Sequence, residues 1–190
     1  LGGPREPGDE SELAMKDLLD KLSSYNVFNY LFPGVVVAAL GTTVSSFKLL
    51  IDDIVVGVFV YYFYGLVVSR IGSLILEPVL RRLKIIRLAP YADFVAASSV
   101  DEKLETLSEQ NNVYRTLSSA FLCLVGLVVA DWLLARFPSF STYGLQIGVL
   151  LLLALFIWSY RKQTQYVAER VDTILRSKST DGASGSGHDK

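Results

Sequence analysis

Four stretches of the chain are almost free of charge, and that partition limits the fold more than any motif does. Residues 27–47, 54–76, 118–137 and 144–160 hold 81 of the 190 residues but only three charged side chains, Arg70, Asp131 and Arg136. The segments between and around them carry the other 34 of the 37 charges. A helix needs about 20 consecutive apolar residues to cross the hydrocarbon core of a bilayer. Backbone in lipid must satisfy its own hydrogen bonds, which apolar runs of this length do as helices. The expected fold class is an all-α integral membrane protein, with four transmembrane helices and cytoplasmic helical extensions. A disordered chain, a secreted disulfide scaffold and a soluble enzyme do not fit this distribution.

The reactive side chains narrow the chemistry. There is one histidine, His188 in a Gly/Ser-rich C-terminal segment, and one cysteine, Cys123 inside the third apolar stretch. Neither an intrachain disulfide nor a Cys/His metal site can be assembled from them, so no metal or other cofactor is expected. A Ser-His-Asp or Cys-His nucleophile would lack a fixed imidazole. No GxxxxGK[ST] loop is present, nor a GxGxxG after a strand. With a net charge of −1 and no basic stripe interleaved with aromatics, nucleic acid is not an expected partner. The chain is not expected to be an enzyme.

Residues 1–14 (LGGPREPGDESELA) read as a leader or other added segment ahead of Met15, the only methionine. The expected membrane domain covers 15–160, with a helical insert over 77–117. A helical extension follows over 161–176, then a flexible tail over 177–190. Lysines and arginines orient the spans. Arg5, Lys16 and Lys21 precede the first stretch, seven cations lie in or beside the central segment, and six follow the fourth stretch. The two short loops have only Lys48 and Arg136. The positive-inside rule then places both termini and the insert in the cytoplasm, with the chain multi-pass in the cell inner membrane.

Local signals refine the spans. Pro33-Gly34 predicts a kink or broken start in span one, and Asp52-Asp53 fit the N-terminus of span two. Glu77 and Arg81 form an i,i+4 pair, and Pro78 is placed to bend the helix. Residues 79–88 (VLRRLKIIRL) read as a basic amphipathic turn set suited to anionic headgroups. Ser99 with Glu102 fits a capping box. The helix it would start carries Leu104, Leu107, Asn111, Tyr114 and Leu117 on one stripe and runs into span three. Span four is expected to continue to residue 175, 32 residues or about 48 Å from Gly144.

Polar groups inside apolar stretches are the candidate functional residues. Arg70 falls near the inner boundary, either snorkelling to headgroups or contacting the Glu109–Asn112 region. Asp131 lies about 8 Å below the outer boundary at the helical rise, with Lys48, Tyr143 or Asp131 of neighbouring subunits as partners. Arg70 is too deep to pair with it directly. Tyr61, Tyr62, Phe63 and Tyr64 cover every side of span two near its middle, so some of these rings must face protein. Gly57, Gly65 and Gly72 allow close helix approach. Asn26 and Asn29 suit capping or inter-helix contacts, or gating together with Pro33, Asp52 and Asp53. On the extension, Val167, Val171 and Ile174 form a narrow apolar stripe. It suits a seam between copies of the chain, or packing on residues 100–117 of its own chain.

Three strings, LSSYNVFNYLFPG (22–34), YYFYGLVVSRIGSLILEP (61–78) and LSEQNNVYRTL (107–117), resemble a group of uncharacterised small four-span bacterial membrane proteins associated with anti-phage defence loci. The resemblance implies a membrane-acting component of a bacterial immune system and supplies no catalytic motif. The expected function is an oligomeric membrane effector or channel-like protein, embedded in the lipid bilayer as a homo-oligomer. Its control would come through the cytoplasmic helices, with a cytosolic protein or signal molecule received at 77–117 and 161–176. One alternative is a non-conducting membrane anchor or scaffold. Another is a small-solute transporter, disfavoured because paired broken helices are not visible.

Overall fold

The computed structural model describes residues 26–101, 103–137 and 139–184. The expected leader, Glu102 and the last six residues of the expected tail lie outside them. A π-helical turn, Val27–Leu31, leads into α1 (Phe32–Val44). Next come α2 (Ile54–Ile71), a second π-turn (Gly72–Leu76) and α3 (Glu77–Arg82), in one continuous rod. α4 (Tyr91–Ser98), α5 (Lys103–Arg136) and α6 (Ser139–Ser184) complete the order, and the described residues contain no strand. Val27–Val44, Ile54–Arg82, Lys103–Arg136 and Thr142–Leu175 are each long and apolar enough to cross a membrane. The fold is all-α, with four helices of that kind.

Both π-turns stop two residues short of a proline. Pro33 and Pro78 lack an N–H, so the carbonyl four residues earlier loses its usual helical donor. The backbone widens instead. Phe32 N–H donates to the Val27 carbonyl, and Glu77 N–H to that of Gly72, each five residues back. The kink expected at Pro33-Gly34 and the bend expected at Pro78 are thus taken up as π-turns within unbroken helices.

The insert differs from expectation in three places. The helix ends at Arg82, inside the supposed amphipathic set 79–88. Lys84 takes a left-handed φ of 59°, and Ile85 N–H donates to the Leu80 carbonyl at 3.0 Å, a Schellman-type stop. α4 carries no apolar repeat long enough to have announced it. The Ser99 hydroxyl donates to the Ala96 carbonyl at 2.7 Å and so closes α4 instead of opening α5. The start of α5 is served by Asp101, whose Oδ1 accepts from Lys103 N–H at 3.0 Å. At α2 the expected cap is present: Asp53 Oδ1 accepts from Val56 N–H at 2.9 Å, while Asp52 is exposed on the preceding loop.

α1 and α2 cross closely, and α5 lies against both. Val37, Val68 and Ala120 form the small core, with Cys123 and Leu127 packed on it. The loop 45–53 folds back onto this unit. Leu49 N–H donates to Thr42 Oγ1 at 3.2 Å and Ile51 N–H to the Tyr61 hydroxyl at 3.0 Å. Irregular backbone is tolerated beside apolar helices when its donors are satisfied in this way. α6 is the least engaged of the four long helices. Only 6% of its most apolar window is buried, against 33% for the first helix, which leaves its sides free for lipid or another chain.

Candidate functional site

The buried face of α5 near the insert is polar. Thr116, Ser119 and Ala120 are fully buried, whereas Leu107 and Tyr114 of the expected apolar stripe are 57% and 69% exposed. The reason lies on α2 and its π-turn, which meet α5 through Val68, Ser69 and Gly72. A Cβ at Gly72 would lie 3.2 Å from Ser119 Cβ, so only short side chains fit between the helices.

Those short side chains hydrogen-bond across the interface. The Thr116 hydroxyl donates to Asn29 Oδ1 at 2.9 Å, with the Asn112 carbonyl at 2.8 Å and the Ser69 hydroxyl at 3.3 Å competing for its proton. The Ser119 hydroxyl donates to the Val68 carbonyl at 2.9 Å. Three helices are thereby tied at one level by groups that would be costly to bury unpaired.

About two turns further along α2's rod, the polar contacts become ionic. Glu77 is 8% exposed. Its Oε2 accepts from Arg115 Nη1 at 2.9 Å, and its Oε1 lies 3.7 Å from Lys162 Nζ. Lys162 also donates to the carbonyl and the hydroxyl of Ser73, both at 2.8 Å. Each oxygen of this buried carboxylate thus faces a cation. Arg115 Nε is buried without a hydrogen-bond partner among the described residues.

Two clefts open on either side of this cluster, sharing Glu77, Arg81 and Tyr166. One, of about 380 Å³, lies between the α2–α3 rod and α6. Arg81, Arg161 and Lys162 meet Leu74, Pro78 and Trp158 on its walls. The other, of about 500 Å³, lies under α4 and is lined in part by Tyr91, Phe94, Leu104, Asn111 and Arg115. Tyr166 stands between the two clefts, on the wall of each. Its ring packs against Tyr91 at 5.3 Å, which anchors α4 to α6.

The other candidates are distributed elsewhere. Asn29 joins the polar ladder; Asn26 precedes the first π-turn and its side chain does not cap it. Pro33 is buried in α1. Arg70 is half-buried and forms no ion pair among the described residues; the link from span two to the insert helix is made by Glu77 and Arg115. Asp131 bonds neither Lys48 nor Tyr143: its Oδ1 accepts from the Ser46 hydroxyl and its Oδ2 from Ser46 N–H at 3.3 Å. Tyr61 bonds the loop at Ile51, Tyr62 meets Tyr30 edge-on at 5.5 Å, and Tyr64 lies beside Tyr61. Phe63 stacks on Phe156 of α6 at 6.1 Å. Val167, Val171 and Ile174 are 56%, 50% and 41% exposed, so α5 does not cover that stripe. No group of three His, Cys, Asp or Glu side chains placed to hold a metal occurs among the described residues.

The Glu77–Arg115–Lys162 cluster is masked in the sequence because Glu77 has a nearer match in Arg81 on its own helix. A signal was available. Glu77 and Arg115 are the first charges beyond stretches two and three, and Lys162 is the second beyond stretch four, so antiparallel packing brings them to one level. Compared with known proteins, the chain matches no protein family, no curated protein and no solved structure.

Proposed function

We propose that this protein is an oligomeric, channel-like membrane effector of the bacterial inner membrane, with both termini and the insert in the cytoplasm. In this reading the input arrives at the clefts around Glu77 and the output is a change in the packing of the four helices. One observation supports it above others: Glu77 ties Arg115 of α5 and Lys162 of α6 to the α2–α3 rod just past its π-turn. Anything that binds the cations beside Glu77 alters the charge balance that holds these helices. The Ser69–Thr116–Asn29 contacts begin two turns away. The proposed place in cellular immunity is supported by the resemblance of residues 22–34, 61–78 and 107–117 alone.

Expression in bacteria with a membrane-potential dye tests the effector. Wild-type protein is expected to depolarise the cells and arrest growth, and Glu77→Gln to do neither at equal membrane levels. Unchanged potential with wild-type protein, together with co-purification of a soluble partner, would overturn it in favour of a non-conducting scaffold. That second reading draws support from apolar side chains exposed on and near the insert, Leu83 at 63%, Ile85 at 65% and Val100 at 88%.

A further inference from the structure

We infer that the cleft between the α2–α3 rod and α6 is a binding site for a phosphate-bearing anion. Four cations, Arg81, Arg115, Arg161 and Lys162, line the two adjoining clefts, and among the described residues Glu77 is the one carboxylate lining either. That carboxylate is already engaged by Arg115 and Lys162. Arg81 and Arg161 form no ion pair among the described residues and keep their guanidinium forks for another acceptor. Planar forks of this kind match phosphate oxygens two at a time. The buried Arg115 Nε, without a partner among the described residues, lies on the adjoining cleft under α4.

The setting points to the form in which the phosphate arrives. Leu74 and Trp158 lie inside stretches almost free of charge, whereas Arg81, Arg161 and Lys162 lie just beyond their ends. The cleft is therefore apolar on the bundle side and cationic on the insert side. An anionic phospholipid has the same division, with acyl carbon below its phosphate. A free phosphate ligand would use the cationic half alone. The shared chemistry is the phosphate, and the two sources are separable by experiment.

This inference rests on reading the Glu77 cluster as the effector's input, but it is tested by binding alone. A protein that binds and does not depolarise refutes the effector and leaves the site standing. The full chain carrying Trp132→Phe, so that Trp158 is its only tryptophan, is placed in phosphatidylcholine nanodiscs. Brominated phosphatidylglycerol or brominated phosphatidylcholine is added at equal mole fraction, and inorganic phosphate is titrated separately. The expected result is a preference of about five- to tenfold for phosphatidylglycerol in quenching Trp158. It is lost in Arg81→Gln/Arg161→Gln and kept in Arg82→Gln, an exposed arginine that does not line the cleft. A response to inorganic phosphate without lipid preference, lost in the same double variant, assigns the site to a soluble phosphate. Equal quenching by both lipids with no response to phosphate overturns the inference. So does a preference, or a phosphate response, that the double variant retains.

Discussion

Gly34 and Gly65 lie at the crossing of α1 and α2 and bring the two backbones into direct contact. A Cβ on Gly34 would sit 1.7 Å from the Tyr61 carbonyl oxygen, and one on Gly65 would sit 1.8 Å from that of Tyr30. Without solvent to drive apolar surfaces together in lipid, helices associate through this sort of close packing between small residues. The obstacles are backbone atoms, so no rotamer change relieves them.

Alanine at either position is therefore expected to destabilise the protein by about 1–3 kcal/mol. The measurement is the thermal unfolding midpoint in mild detergent. Gly126→Ala is the control, because a Cβ there meets nothing within 4 Å. Equal midpoints for Gly34→Ala, Gly65→Ala and Gly126→Ala would contradict the crossing.

Thr116→Val keeps the volume and removes the hydroxyl, leaving Asn29 Oδ1 without this donor. A loss of about 1–2 kcal/mol is expected, with Thr116→Ser close to wild type. The same unfolding assay separates the two, and a valine variant as stable as serine would mean that the ladder contributes nothing.

Orientation is open to labelling. A cysteine at the exposed Lys48 should react with an aqueous maleimide in intact cells, and one at the exposed Glu105 only after permeabilisation. Native Cys123, in the middle of an apolar helix, should react in neither case. Labelling of position 105 in intact cells would invert the topology.

Self-association is expected through the exposed stripe of α6. Val167→Glu with Val171→Glu would place like charges at the centre of a seam between chains and reduce cross-linked species in membranes, while a monomer would not register the change. Wild-type protein that stays monomeric in mild detergent at every concentration would remove the oligomer.

The long-range plan was legible because stretches long and apolar enough to cross a membrane leave few choices. Stretches almost free of charge mark the four helices, and Glu77, Arg115 and Lys162 all lie close beyond the ends of those stretches. What stayed hidden depended on partners distant in sequence. Asp131 is bonded by Ser46, 85 residues away, and no charge or period marks Ser46 in advance. The stripe of α5 misled for a related reason. Its apolar members are free to face outward, while Thr116 and Ser119 face inward because Ser69 and the Val68 carbonyl receive them. Hydropathy reads a serine as a surface residue; only the neighbouring backbone makes it an interior one.

The π-turn at Gly72–Leu76 has a bearing on how this chain tolerates change in length. A π-turn accommodates one residue more than the same span of α-helix, so removing one residue from it would restore a regular helix. The surplus residue is absorbed locally. Glu77 N–H already closes on the Gly72 carbonyl, and after a deletion within the turn it would close on that same carbonyl from one residue nearer, as in an α-helix. Glu77 would then keep roughly its direction toward Arg115 and Lys162. A single deletion in the regular helix ahead of the turn has no such buffer and would rotate everything beyond it by about 100°.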